Sequence, residues 1–415
     1  MTSSVFESTQ GQAAAAPATG IPASHWGGVF AMTLCVFTLI ASEFMPVSLL
    51  TPIAAALQVS EGWVGYGIAI SGAFAVVTSL CISRLAGRLD RKTLLLGMTA
   101  LMGLSGLVMA LASNYATYMV GRALIGVVVG GFWSMSVAVA MRLVPAAQVP
   151  KALAIFNSGN ALATVIAAPL GSYLGGIIGW RGAFFCLVPL AVIALAWQWV
   201  SLPHLPPQEK AATASTGMQP HSTTASSTVF GLLRRPVVAL GMAAMGLFFM
   251  GQFELFTYVR PFLEGVTRVE LPTLSLVLFG MGVAGFVGTM VVNPVLQRGM
   301  YRMLVAIPLL MAVIALALAL WGTSLAVVVV LLAVWALVAT AAPVGWWSWL
   351  AETLPHDAEA GGGLMVAMIQ LSIALGSTVG GLLFDGVSYR ATFGMSAVLL
   401  VAAAGFTVLT ARRVK

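Results

Sequence analysis

Three ionisable side chains stand inside runs that are otherwise apolar: Glu43 in LIASEFMPVSLL, Arg122 in YMVGRALIGVVVGG and Glu254 in GQFELFTYVRP. A charge held in hydrocarbon costs about 2.5–3.5 kcal/mol on insertion scales, so such residues mark pairing, proton relay or solute binding. A carboxyl can take up and release a proton, whereas a guanidinium stays charged and only donates hydrogen bonds. All four histidines (His25, His204, His221, His356) fall in loops or at a helix edge, so a proton relay here would run on carboxyl groups. No nucleophile–base pair, metal-ligand cluster or GxxxxGK[ST] loop accompanies these residues, which argues against a membrane-embedded enzyme and implies no cofactor and no metal.

The elements that must position these groups are membrane helices. The chain is 60% hydrophobic and only 7% charged, against roughly one-quarter charged residues in soluble domains. A helix needs about 20 apolar residues to cross about 30 Å of hydrocarbon. Twelve stretches qualify, near 26–50, 62–83, 94–112, 116–141, 152–178, 183–201, 236–259, 271–296, 303–321, 325–350, 360–384 and 388–411. Fourteen of the nineteen Lys and Arg fall on the even-numbered loops and the C-terminal tail, and four on the opposite side. The positive-inside rule then puts both termini in the cytoplasm. The net charge of +7 is thereby a topology signal and implies no nucleic-acid partner. Cys35, Cys81 and Cys186 lie within spans and imply no disulfide framework. Residues 1–25 read as a disordered tail without a signal peptide.

The sequence divides six plus six. A Pro, Ser, Thr and Ala-rich linker over 202–235 separates an N-terminal bundle (26–201) from a C-terminal bundle (236–411), followed by a basic tail (412–415). Landmarks recur between the halves: Glu43 and Glu254 are 211 residues apart, as are Arg91 and Arg302, and PLGSYLGGIIGWRGAFF aligns with TVGGLLFDGVSYRATFG at 209. The expected fold is an all-α membrane protein of twelve transmembrane helices in two pseudo-symmetric six-helix bundles. Duplicated halves of this kind belong to transporters that rock about a central site; a channel is disfavoured by the same duplication and the lack of a repeated filter.

Three motifs carry a resemblance over essentially the whole chain. The loop SRLAGRLDRKTLLL keeps Arg88, Arg91 and Lys92 of the Gly-x-Leu-Ala-Asp-Arg-x-Gly-Arg-Lys signature but has Gly87 for its Asp and Asp90 for its second Gly. YMVGRALIGVVVGG is centred on Arg122, and NALATVIAAPLGSYLGG keeps Pro169, Gly171 and Gly175 of an antiporter motif. These are similar to the major facilitator superfamily, in its drug/proton-antiporter-like branch. SEFMPVSLLTPIA, GQFELFTYVRP and PVGWWSWLAETLP resemble, within that branch, exporters of purine ribonucleosides. The resemblance implies proton-coupled antiport of inosine- or guanosine-type nucleosides out of the cytoplasm. Efflux of sugars, nucleobases or drugs by the same mechanism is the alternative. A monomer in the lipid bilayer, with nucleoside and protons as its partners, is expected.

Site candidates follow from depth and residue type. Helical rise places Glu43 and Arg122 at similar depths, about 10 and 9 Å from the outer surface, so that they can meet. Moving them apart would change the proton affinity of Glu43. The expectation is that Glu43 is the coupling carboxylate, loaded from outside and unloaded inward as substrate leaves; a permanent pair that only fixes helix packing is the competing reading. Glu254 and Gln252 are candidate wall residues. Asn160 and Gln370, 210 residues apart, offer donors and acceptors for ribose hydroxyls and a purine edge, or else serve as interhelical glue. Trp133 and Trp346 are candidates to stack a base, although an interfacial aromatic belt accounts for them equally. Arg88, Arg91 and Lys92 are expected to act in a conformational loop.

Overall fold

The computed structural model describes residues 25–86, 89–145, 148–205, 229–354 and 358–414. All regular elements among them are helices, as expected where no water is present to satisfy backbone groups and each segment must bond to itself. The first half contains α1 (Trp26–Ser48), the short continuation α2 (Leu50–Leu57), α3 (Glu61–Ala86), α4 (Arg91–Ala110), α5 (Tyr115–Arg142), α6 (Val149–Phe185) and α7 (Leu187–Ser201). The second half contains α8 (Pro236–Phe256), the single turn α9 (Val259–Phe262), α10 (Leu271–Arg298), α11 (Met300–Trp321), α12 (Leu325–Thr353), α13 (Ala358–Gly386) and α14 (Tyr389–Val414).

Eleven helical stretches are long and apolar enough to cross a membrane, one of them 51 residues long, Lys151–Ser201. At 1.5 Å per residue that stretch would measure about 76 Å, more than twice the hydrocarbon thickness. It reverses at Gly179, whose φ of 75° and ψ of 162° lie outside the helical region, so it makes two crossings and the chain makes twelve. The positive φ is why glycine stands there.

Helix packing repeats from one half to the other. In the first half α1 packs on α6 and α7, α3 on α5, and α4 on α5 and α7; in the second, α8 packs on α13 and α14, α10 on α12, and α11 on α12 and α14. The halves meet through α3 against α13 and α6 against α10, two contacts that a two-fold axis exchanges. Gly72 makes one of them: a Cβ there would lie 2.7 Å from the carbonyl oxygen of Gln370 and 3.0 Å from the Ala374 methyl. The backbone repeats as well. Gln58 and Arg268 are the two non-glycine residues with positive φ among those described, at 55° and 59°, and each ends the short turn that follows the first span of its half.

Alternation of helix direction defines two ends. Both bundles begin, and the first bundle ends, at what we call the linker face; α1 and α8 run from it to the far face. Part of the 202–235 linker is seated rather than free. Leu202 and Leu205 are buried, and 229–234 forms a 3-10 turn packed on α8 and α13. Residues 206–228 and the 1–24 tail lie outside the described residues.

Candidate functional site

The site is built on a proline. Pro46 stands inside α1, and lacking an N–H it leaves the carbonyl four residues earlier, that of Ser42, without its helical donor. Arg122, fully buried on α5, fills that vacancy: Nη1 donates to Ser42 O at 3.2 Å, Nη2 to Glu43 O at 3.3 Å, and Nε to Gly67 O on α3 at 3.0 Å. One guanidinium thus joins three helices of the first bundle through backbone acceptors. The expected meeting of Glu43 and Arg122 occurs, but through the main chain of Glu43 rather than its carboxylate.

The Glu43 carboxylate points to the other bundle. Gln370 on α13 donates Nε2–H to Glu43 Oε1 at 3.3 Å, with both side chains buried. Beside it, Phe44 of α1 stacks on Phe253 of α8, ring centroids 5.8 Å apart at 28°. Glu254, next to Phe253, is also fully buried, and neither of its carboxyl oxygens has a hydrogen-bond partner among the described residues; the same holds for Gln252 Oε1. Glu43 and Gln370 thus meet across the interface of the halves, while Glu254 and Gln252 of α8 carry buried oxygens without a partner among the described residues. Buried acceptors without donors are costly, so hydroxyl or N–H groups arriving there would be bound favourably.

The far face is held shut by polar contacts from the second half to helix ends of the first. Asp385 at the end of α13 accepts the Gly62 N–H at 3.2 Å and the Ser60 hydroxyl at the start of α3. Arg260 donates to the carbonyl of Ser48, the last residue of α1, while it is paired to Glu264 at 2.8 Å. An acid at a helix N-terminus and a base at a C-terminus both complement the macrodipole. Tyr258 of the second bundle sits within the apolar cluster at the far end of the first.

The remaining candidates have varied surroundings. Asn160 is half-buried on α6. Trp133 is half-buried and packs edge-on against Phe132 and Phe156, at 6.4 and 6.2 Å. Trp346 is only 2% exposed and lies in the core of the second bundle against Trp349; in this conformation it is a packing residue with no face free for a base. Gly171 and Gly175 lie where α6 crosses the far end of α1, beside Met45, Ser48 and Leu49, and Pro169 lies in the same helix.

The loop expected to be conformational is docked. Asp90 caps α4 by accepting Lys92 N–H at 3.0 Å, accepts Leu205 N–H at 2.9 Å and contacts His204 Nδ1 at 2.7 Å. Arg91 N–H donates to Leu205 O at 3.0 Å, and Lys92 Nζ to Leu202 O at 2.7 Å. Arg88 lies outside the described residues. Sequence reasoning counted Arg260 and Asp385 only as loop charges or passed over them. No signal in the chain tells that each reaches a helix end of the other half.

Comparison with known proteins agrees with this architecture. The family model described as Major Facilitator Superfamily matches residues 32–361. Over 387 residues the chain is 63% identical to the protein named transcription regulatory protein OpdE of Pseudomonas aeruginosa, covering 93% of this chain and 94% of that one. It is 39% identical over 384 residues to the purine ribonucleoside efflux pump NepI of Salmonella enteritidis, covering 92% and 94%. Among solved structures, the nucleoside transporter NupG superposes with a TM-score of 0.74 at 12% identity, over 92% of this chain and 98% of that one. A bacterial homologue of the human lysosomal transporter Spinster gives 0.72 at 16%, over 95% and 98%. With its duplicated helix packing, its buried charges and these relatives together, the chain belongs to the Major Facilitator Superfamily and is a multi-pass membrane transporter of a small molecule.

Proposed function

We propose that this protein exports purine ribonucleosides, of inosine or guanosine type, in exchange for protons by alternating access. The linker face is cytoplasmic on this reading, supported by the fourteen Lys and Arg that the sequence assigns to the even-numbered loops and the C-terminal tail. The observation that carries the coupling is the hydrogen bond from Gln370 to Glu43. It joins a titratable group on one half to a donor on the other, so parting the halves changes what surrounds the carboxyl, and proton occupancy and conformation become linked. Arg122 keeps α1 and α3 tied to α5 while this happens. Glu254 and Gln252 supply acceptors for solute hydroxyl and amino groups, with Asn160 and Trp133 as further wall residues, and a monomer suffices for the cycle.

The test is uptake of labelled inosine into inverted membrane vesicles under an imposed pH gradient. Saturable uptake that collapses with the gradient is expected, and Glu43→Gln should leave exchange of inosine across the membrane but remove its response to pH. A Glu43→Gln protein whose transport stays fully proton-dependent would falsify the coupling role. Sugars, free bases and drugs as competitors decide the substrate class.

A further inference from the structure

Between α11 and α14 at the linker face lies an open groove of about 750 Å³, remote from the interface of the halves. Its walls are apolar, including Val305, Ala306, Leu309 and Val408, and its mouth carries Arg302 and Arg412. Neither arginine has an ion-pair or hydrogen-bond partner among the described residues, and both side chains are exposed. Leu309 stands seven residues along α11 from Arg302, so the groove extends about 10 Å from the charged mouth toward the membrane interior.

The symmetry-related corner of the first bundle, between α4 and α7, is not open. There the chain folds back over 202–205, with Leu202 and Leu205 buried and their backbone bound by Lys92 and Asp90. The duplicated architecture thus presents the same corner twice, once filled by its own peptide and once, among the described residues, open. The open one pairs an apolar trough with two guanidinium groups at its mouth.

We propose that this groove is a binding site for an anionic phospholipid, its phosphate held by Arg302 and Arg412 and one acyl chain lying along Val305, Leu309 and Val408. Arginine forks match phosphate oxygens, and a basic pocket between helices at the membrane surface selects anionic headgroups. A free phosphate would use the arginines and leave the apolar wall wet; a zwitterionic lipid would use the wall and gain less from the charges. The site is independent of the transported substrate.

The experiment is native mass spectrometry of the full chain purified in detergent and titrated with phosphatidylglycerol or phosphatidylcholine. The unmodified protein should retain phosphatidylglycerol about thirty-fold better, corresponding to two basic residues near a membrane surface. Arg302→Gln with Arg412→Gln should abolish that preference. Ala306→Trp, which fills the trough and leaves both charges, should lower retention of both lipids. Equal retention of the two lipids by the unmodified protein overturns the proposal without reference to any variant. So does an undiminished preference in the double glutamine protein, or displacement of the lipid by glycerol phosphate at matching concentration.

Discussion

Asp385 offers a perturbation whose size follows from the geometry. Its carboxylate reaches from α13 to the N-terminus of α3 in the opposite half, taking the Gly62 N–H and the Ser60 hydroxyl. Replacement by alanine removes both contacts, yet α3 keeps a cap of its own, because Ser60 Oγ also accepts Trp63 N–H at 3.3 Å. The loss therefore falls on the closure between halves and not on the helix. A cap of this kind is worth about 1 kcal/mol, and the charge at a helix N-terminus adds roughly 0.3–1 kcal/mol. The sum, about 1.3–2 kcal/mol, lowers the ratio of far-closed to far-open molecules about ten- to thirty-fold, so a far-open share of ~5% would rise to between about a third and about 60%. Spin labels at Leu111→Cys and Val387→Cys, both about 70% exposed beside the far face, report this in a background with Cys81 and Cys186 changed to serine. A second, longer distance should grow in the Asp385→Ala protein. If the distribution is the same as in the parent, the contact does not hold the far face and the reasoning fails.

Two further outcomes test other parts of the architecture. Arg122→Lys places one ammonium where a fork met carbonyls on two helices; with charged hydrogen bonds worth about 1.5–3 kcal/mol each, the solubilised protein should melt at a clearly lower temperature, whatever the pH. Gly179→Ala forces a Cβ onto a positive-φ, extended-ψ backbone open essentially to glycine alone, at a cost of about 1–3 kcal/mol, and should lower thermal stability although nothing lies near the added methyl.

Composition and periodicity made the twelve crossings legible, because bilayer thickness sets a length that irregular sequence cannot imitate. The bend at Gly179 was legible only as a gap between two apolar runs. The repeat of Gln58 and Arg268 as left-handed turn residues was invisible, since neither type announces a positive φ and the two share no chemistry. Motif reading took Asp90 as a departure from a signature, and the structure makes it an anchor for 202–205. Depth arithmetic brought Glu43 and Arg122 together correctly but said nothing about rotation around the helix axis. That rotation sends the carboxylate to Gln370 and leaves the arginine the backbone that Pro46 exposes. Contacts across a pseudo-two-fold, such as Phe44 with Phe253, depend on how two bodies lean and carry no local pattern at all.

The placement of the Glu43 partner has a bearing on waste. Since the amide belongs to the other half, on the proposed mechanism the surroundings of the carboxyl change most when the two halves part, and an unaccompanied proton then crosses by the same parting as one exchanged for cargo. Idle leakage through such a machine is capped by how often it rocks, so the ion gradient is spared whenever the protein stands still.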